Sequence, residues 1–271
     1  MHFLLGYAVL AAYAASLACY AGYLYSSNRW AGRLGTLLLA GGIVLQYLEL
    51  YERALAIHSV PYDDLYGSMS LFAWLLGVVY LALETFHRER SVGAFVTLLL
   101  FVWVVLVHAL VPVNQPARPP ATGALFALHV TLNTLAYAAF ALSFALSLIY
   151  LLQERVLRAR KPNAVFWRFP ALDLLERMSR SSVGVGLLSM CFGVAMGFVW
   201  QHRLQGRFGL GDPKVIVTLV IFAAYIAYLF LARSKAWRGP RAALICAFNF
   251  VFVLFSYTFV NFYLTRFHKF Y

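Results

Sequence analysis

The residues most able to do chemistry in this chain are its seven histidines, and they are scattered. None forms a local metal-binding pair such as HExxH, so any metal held by imidazole must be gathered from distant segments. The carboxylate to watch is Glu49, one helical turn beyond Gln46 inside an apolar run, where a charge needs a partner or water. Asn133 stands one turn beyond His129, and Asn249 lies in another apolar run; interhelical hydrogen bonding accounts for such amides. Cys19, Cys191 and Cys246 also sit in apolar runs without CxxC spacing and read as small buried hydrophobes. No Walker loop, strand-borne GxGxxG or local Ser-His-Asp spacing is present. What remains is ligation of a metal or cofactor by side chains brought together from separate elements.

Those elements are set by composition. Of the 271 residues, 63% are hydrophobic and 12% charged, with a mean hydropathy of +0.76. A soluble domain cannot cover that much apolar surface, so lipid must replace water as the solvent for most of the chain. Eight apolar runs are each long enough to cross a bilayer as a helix: 3–25, 34–52, 65–84, 92–112, 124–152, 183–201, 214–232 and 242–264. They lack the alternation of barrel strands. The first run has no basic leader and no small-residue cleavage site, and reads as a retained span. The expectation is an all-α polytopic bundle forming a single integral-membrane domain over 1–271.

The net charge of +12 is mainly a topology signal and does not point to nucleic acid. Fifteen of the 22 Lys and Arg residues fall in the first, third, fifth and seventh connections, and seven on the other side with both termini. The positive-inside rule then places both termini on the outer face of a bacterial cytoplasmic membrane, with anionic lipid as a further partner of the basic side. On that map His87 is cytoplasmic, while His2, His58, His108, His129, His202 and His268 lie at or near the outer face.

Two connections carry information. Residues 154–182 form the only long cytoplasmic segment; apolar Phe169, Leu172, Leu174, Leu175 and Met178 among charges predict an amphipathic helix after Pro170, lying at the interface and able to dock a cytoplasmic partner. The outer stretch GRFGLGDPKV, Gly206 to Val215, separates spans six and seven; Asp212 is suited to cap and Pro213 to open the seventh helix. No inverted repeat or midplane charge cluster suggests a transporter.

Several motifs, in order, resemble the cytochrome c assembly protein family: PYDDLYGSMSLFAWLL (Pro61 to Leu76), LHVTLNTLAYAAFALSFALSLIYLLQ (Leu128 to Gln153), LERMSRSSVGVGLLSMCFGVAMGFVW (Leu175 to Trp200), GLGDPKV in place of that family's WSWDPKE, and VNFYLTRFHKF (Val260 to Phe270). The chain is most similar to the short eight-span HemX-like branch, to which VHALVP (Val107 to Pro112) is also similar, rather than to the larger CcsA-like subunits. The loop tryptophans of the family are absent here, leaving Phe208 and Trp200 as the nearby aromatic residues.

The resemblance implies a haem-handling protein of c-type cytochrome biogenesis that binds or presents non-covalent, b-type haem at the outer face. By position, His129 and His268 match the family's two outer haem ligands. Trp200 and Phe208 would then wall the disc, with Phe267 and Phe270; Arg203 and Arg207 would meet the propionates, and Asp212 would shape the loop. It implies a binding or delivery subunit, not a stand-alone catalyst, with a membrane partner in an assembly complex. The HemX-like branch implies an alternative: a membrane regulator or scaffold acting on a cytoplasmic haem-synthesis enzyme, through the level of glutamyl-tRNA reductase, without haem transport.

Overall fold

The computed structural model describes residues 2–57, 60, 64–111, 123–159, 169–206 and 213–259. These form eight α-helices: α1 (His2–Ser26), α2 (Arg29–Ile57), α3 (Leu65–His87), α4 (Gly93–Leu110), α5 (Ala124–Arg158), α6 (Leu172–Gln205), α7 (Pro213–Leu231) and α8 (Pro240–Phe259). No strand occurs among the described residues. Seven helices are long and apolar enough to span a bilayer, and α8 carries a shorter apolar stretch, Pro240–Ser256. The chain is a multi-pass helical membrane protein.

Each expected span has its helix, but several helices overrun the apolar window. With 35 residues, α5 is about 52 Å long against a hydrocarbon core of roughly 30 Å, and α6 is nearly as long. The helix expected after Pro170 opens at Leu172 and continues unbroken into the sixth span. Its apolar positions Leu174, Leu175 and Met178 are buried against protein, which is why this face does not form a separate element.

The helices gather into two compact units, α1–α4 and α5–α8. In the first, Tyr13, Ser16 and Tyr20 lie at i, i+3 and i+7 on one fully buried stripe of α1. The Tyr13 hydroxyl donates to Gln46 Oε1 (2.7 Å), Ser16 donates to the Gly35 carbonyl (2.9 Å), and Tyr20 donates to Glu84 Oε2 (2.5 Å). Gln46 passes the connection on to α3 by donating to the Ser70 carbonyl (3.2 Å). Lipid offers helices no hydrophobic reason to associate, so such bonds and close packing must supply it. At α4, Gly93 makes room for the Tyr20 ring: a Cβ there would lie 2.4 Å from Tyr20 Cδ1.

The first turn of α3 is set by Asp64. Its Oδ1 accepts from the Gly67 amide (2.9 Å) as an N-cap, and its Oδ2 pairs with Arg53 on α2 (2.5 Å).

In the second unit α5 and α6 are zipped by small polar residues. Ser182 donates to the Ala139 carbonyl (2.7 Å), and Ser143 Oγ lies 2.8 Å from both Ser179 Oγ on α6 and Cys246 Sγ on α8. Phe140 stacks on Tyr225 of α7 with ring centroids 3.8 Å apart. The Asn249 amide donates to the Ala224 carbonyl (3.2 Å), so this intramembrane amide joins α8 to α7. Gly206 ends α6 at φ +67, its amide donating to the His202 carbonyl (2.8 Å), and α7 opens at Pro213 as the sequence predicts.

Candidate functional site

His129 lies in the second turn of α5, with Phe126 and Asn133 on the same stripe at i−3 and i+4. Facing it on α6 are Gly193, Gly197 and Trp200, again spaced i, i+4, i+7. The two glycines let the helices approach until the imidazole reaches backbone. A Cβ on Gly197 would lie 2.4 Å from His129 Nδ1, and one on Gly193 would lie 2.7 Å from Asn133 Nδ2.

That closeness fixes the ring. His129 Nδ1 is 2.8 Å from the Gly193 carbonyl, which can only accept, so Nδ1 carries the proton. Asn133 donates instead to the His129 carbonyl (2.7 Å). Nε2 is left with its lone pair and has no hydrogen-bond partner among the described residues. Metal-ligating histidines characteristically show this arrangement, one nitrogen pinned to a carbonyl and the other presented to the metal. One turn before His129 on α5 and one turn beyond Gly197 on α6, the Phe126 and Trp200 rings stand 5.1 Å apart, tilted by 41°. Arg203 follows Trp200 by one turn near the end of α6 and is exposed.

A second constellation sits in the first unit. The Tyr66 hydroxyl donates to Glu49 Oε1 (2.8 Å), and His108 Nε2 lies 3.0 Å from the same oxygen. Arg53 lies over the Tyr66 ring, 5.0 Å from its centroid.

Of the residues assigned from sequence, the structure describes His129, Trp200 and Arg203, and brings the first two into facing stripes of α5 and α6. His268, Arg207, Phe208 and Asp212 lie outside the described residues, as do His58, Phe267 and Phe270. Sequence reasoning missed Gly193, Gly197 and Phe126. The glycines carried a signal, since Gly193–Gly197 is a GxxxG pair in an apolar helix, the mark of close helix approach. It also missed the partner of Glu49, for which no local spacing exists.

The family model described as Cytochrome C assembly protein matches residues 62–268. The chain belongs to the cytochrome c assembly protein family. Among curated relatives, Protein HemX of Brevibacillus brevis is 29% identical over 255 residues, covering 88% of this chain and 91% of its own. Cytochrome c biogenesis protein CcsA of Porphyra purpurea is 25% identical over 255 residues, covering 79% and 80%. Protein HemX of Bacillus subtilis (strain 168) is 25% identical over 248 residues, covering 90% of each chain. The family match includes every residue of the His129 constellation and His268; it excludes Glu49 and all of α1 and α2.

Proposed function

We propose that this family member handles haem in c-type cytochrome biogenesis, binding or presenting b-type haem non-covalently, and that His129 would hold the iron through Nε2. The reading is carried by one observation: His129 is fixed with Nδ1 donating to the Gly193 carbonyl and Nε2 without a hydrogen bond among the described residues, one turn along α5 from Phe126, which packs on Trp200. These residues would fit one face of a haem, which needs a nitrogen donor, an apolar wall and a cation for a propionate. Arg203, one turn beyond Trp200, is the proposed cation, and Lys214 at the start of α7 is a second, its charge acting on His129. When bound, haem supplies a redox-active iron. The protein's part is to hold the imidazole tautomer, exclude water with the aromatic pair and orient the disc. His268 is the proposed second ligand, with Phe208, Arg207 and Asp212 completing the outer loop. In this reading the chain sits in the bacterial cytoplasmic membrane with both termini outside and works beside a membrane partner subunit.

The test is the absorbance spectrum of detergent-solubilised protein supplied with haem. Wild type should give a Soret band of ligated haem, and His129→Ala and His268→Ala should each lose or shift it. A wild-type spectrum no different from free haem in detergent would end the proposal.

A second reading, a scaffold that contacts a cytoplasmic haem-synthesis enzyme, is favoured by the overrun of α5 and α6. Their extensions expose Arg155, Arg158 and Arg177. Neutralising these three should abolish capture of glutamyl-tRNA reductase if this reading holds and leave the haem spectrum unchanged.

A further inference from the structure

The Glu49–His108 contact can be counted proton by proton. His108 Nδ1 is 2.9 Å from the Val104 carbonyl, an acceptor only, so it is a donor and holds a proton. The Tyr66 hydroxyl has one proton for two acceptors in reach, Glu49 Oε1 at 2.8 Å and His108 Nε2 at 3.3 Å, and the shorter contact is to the carboxylate. If no other proton were present, the Nε2 lone pair would face Oε1 at 3.0 Å, two acceptors in contact in the interior of the unit. The contact closes only with one more proton between them, on the nitrogen as an ion pair or on the oxygen as a neutral acid.

The surroundings keep that proton local. Glu49 is 3% exposed, and its Oε2 has no hydrogen-bond partner among the described residues. From α1 the pair is faced by Tyr13, whose hydroxyl goes to Gln46; α2 brings Arg53, paired with Asp64 at the start of α3; α3 adds Tyr66. Among the described residues, the formal cation beside the pair, Arg53, is matched by Asp64 and does not replace the proton. Each partner comes from a different helix, and α1 closes over the ring at Gly6, where a Cβ would lie 3.0 Å from His108 Nε2 and 3.6 Å from Glu49 Oε1.

We propose that Glu49 and His108 form a membrane-embedded binding site for one proton, whose occupancy holds α1, α2 and α4 together at this end of the first unit. When the site is filled, a single shared hydrogen bond ties α2 to α4. Its loss on the alkaline side leaves two acceptors 3.0 Å apart, and the α4 end must move away from α1 and α2. The proposal is independent of haem binding: its residues lie in α2 and α4, none in the His129 constellation.

The experiment is pH-difference infrared spectroscopy of the full chain in nanodiscs between about pH 5 and pH 9, paired with amide hydrogen exchange. Subtraction of the Glu49→Gln, His108→Gln double variant cancels the other histidines and carboxyls. The wild type should then show one joint protonation step in carboxyl and imidazole bands, with about tenfold faster exchange at residues 104–110 on its alkaline side once the intrinsic base-catalysed rate is divided out. Glu49→Gln and His108→Gln should each abolish the joint step, leaving at most a change in the bands of the remaining partner alone, whereas Tyr66→Phe should shift its midpoint and keep its one-proton slope. A wild-type spectrum and exchange pattern unchanged across the range would overturn the proposal, whether or not the variants fold. So would a joint carboxyl and imidazole difference step that survives Glu49→Gln, or bands that respond to added zinc at fixed pH instead of to pH, which would make the pair a metal site.

Discussion

His129 on α5 donates its Nδ1 proton to the main-chain carbonyl of Gly193 on α6, 2.8 Å away and 64 residues along the chain. An imidazole reaches a helix carbonyl this closely only where the facing helix presents no side chain. The ligating capacity of His129 is thus a property of the α5–α6 interface: the glycines of one helix decide which nitrogen of the other is available.

Gly197→Ala should disturb that tautomer without unfolding the protein. The added methyl would stand 2.4 Å from Nδ1, so the ring or the helix must shift, at a cost of roughly 1–3 kcal/mol. The haem absorbance of the variant should move or vanish while gel filtration stays normal. Gly184→Ala on the same helix is the control, because nothing lies within 4 Å of its added Cβ. It should leave the spectrum alone and raise stability by about 0.5–1 kcal/mol. Equal spectra for the two variants would refute the dependence on Gly197.

Asp64 does two jobs that substitution can separate. Asp64→Asn keeps a side-chain oxygen for the Gly67 amide but removes the carboxylate facing Arg53; Asp64→Ala removes both. Thermal unfolding in detergent should show a loss on the order of 3 kcal/mol for the first. The second should lose about 1 kcal/mol more, the value of the cap. If Asn and Ala variants melt together, the cap contributes nothing here.

The eight spans were legible because about twenty apolar residues in a row have one reasonable solvent. Helix extents were not: the polar turns Glu154–Arg158 and Leu172–Ser182 continue α5 and α6, held by interhelical bonds such as Ser179 to Ser143 that no single-segment pattern reveals. The GxxxG of α6 announced a close approach but could not name His129 as the group that uses it. Glu49 was recognisable as a buried acid in want of a partner. That partner, His108, is 59 residues away on α4 and becomes visible only when the helices are packed. The Asp-Pro start of α7 needed only local rules, and the helix begins at Pro213 as they require.

Topology can be checked directly. The connection between α7 and α8 holds Arg233, Lys235 and Arg238, with Arg241 in the first turn of α8. If the positive-inside rule governs insertion, alkaline phosphatase fused after Ser234 should be inactive and the same reporter fused after Phe259 active. The reverse pattern would invert the chain and place His129 near the cytoplasm.

The three cysteines should separate by accessibility in the folded protein. Cys246 is buried, with its sulfur 2.8 Å from the Ser143 hydroxyl, whereas Cys191 is exposed on α6 and Cys19 is half-buried on α1. A thiol reacts as thiolate, and burial among neutral hydroxyls gives Cys246 no cation to favour that form. A small membrane-permeant maleimide should therefore label Cys191 and spare Cys246 until denaturant is added, as read by peptide mass spectrometry. Ser143→Ala should expose the role of the cluster: losing its hydroxyl removes contacts to both Ser179 and Cys246, and stability should fall by about 1 kcal/mol. Cys246 labelling in the native variant should then rise with the local opening rate of α8. Labelling of Cys246 in the intact wild type as fast as Cys191 would mean that the α5–α6–α8 packing opens freely in the membrane.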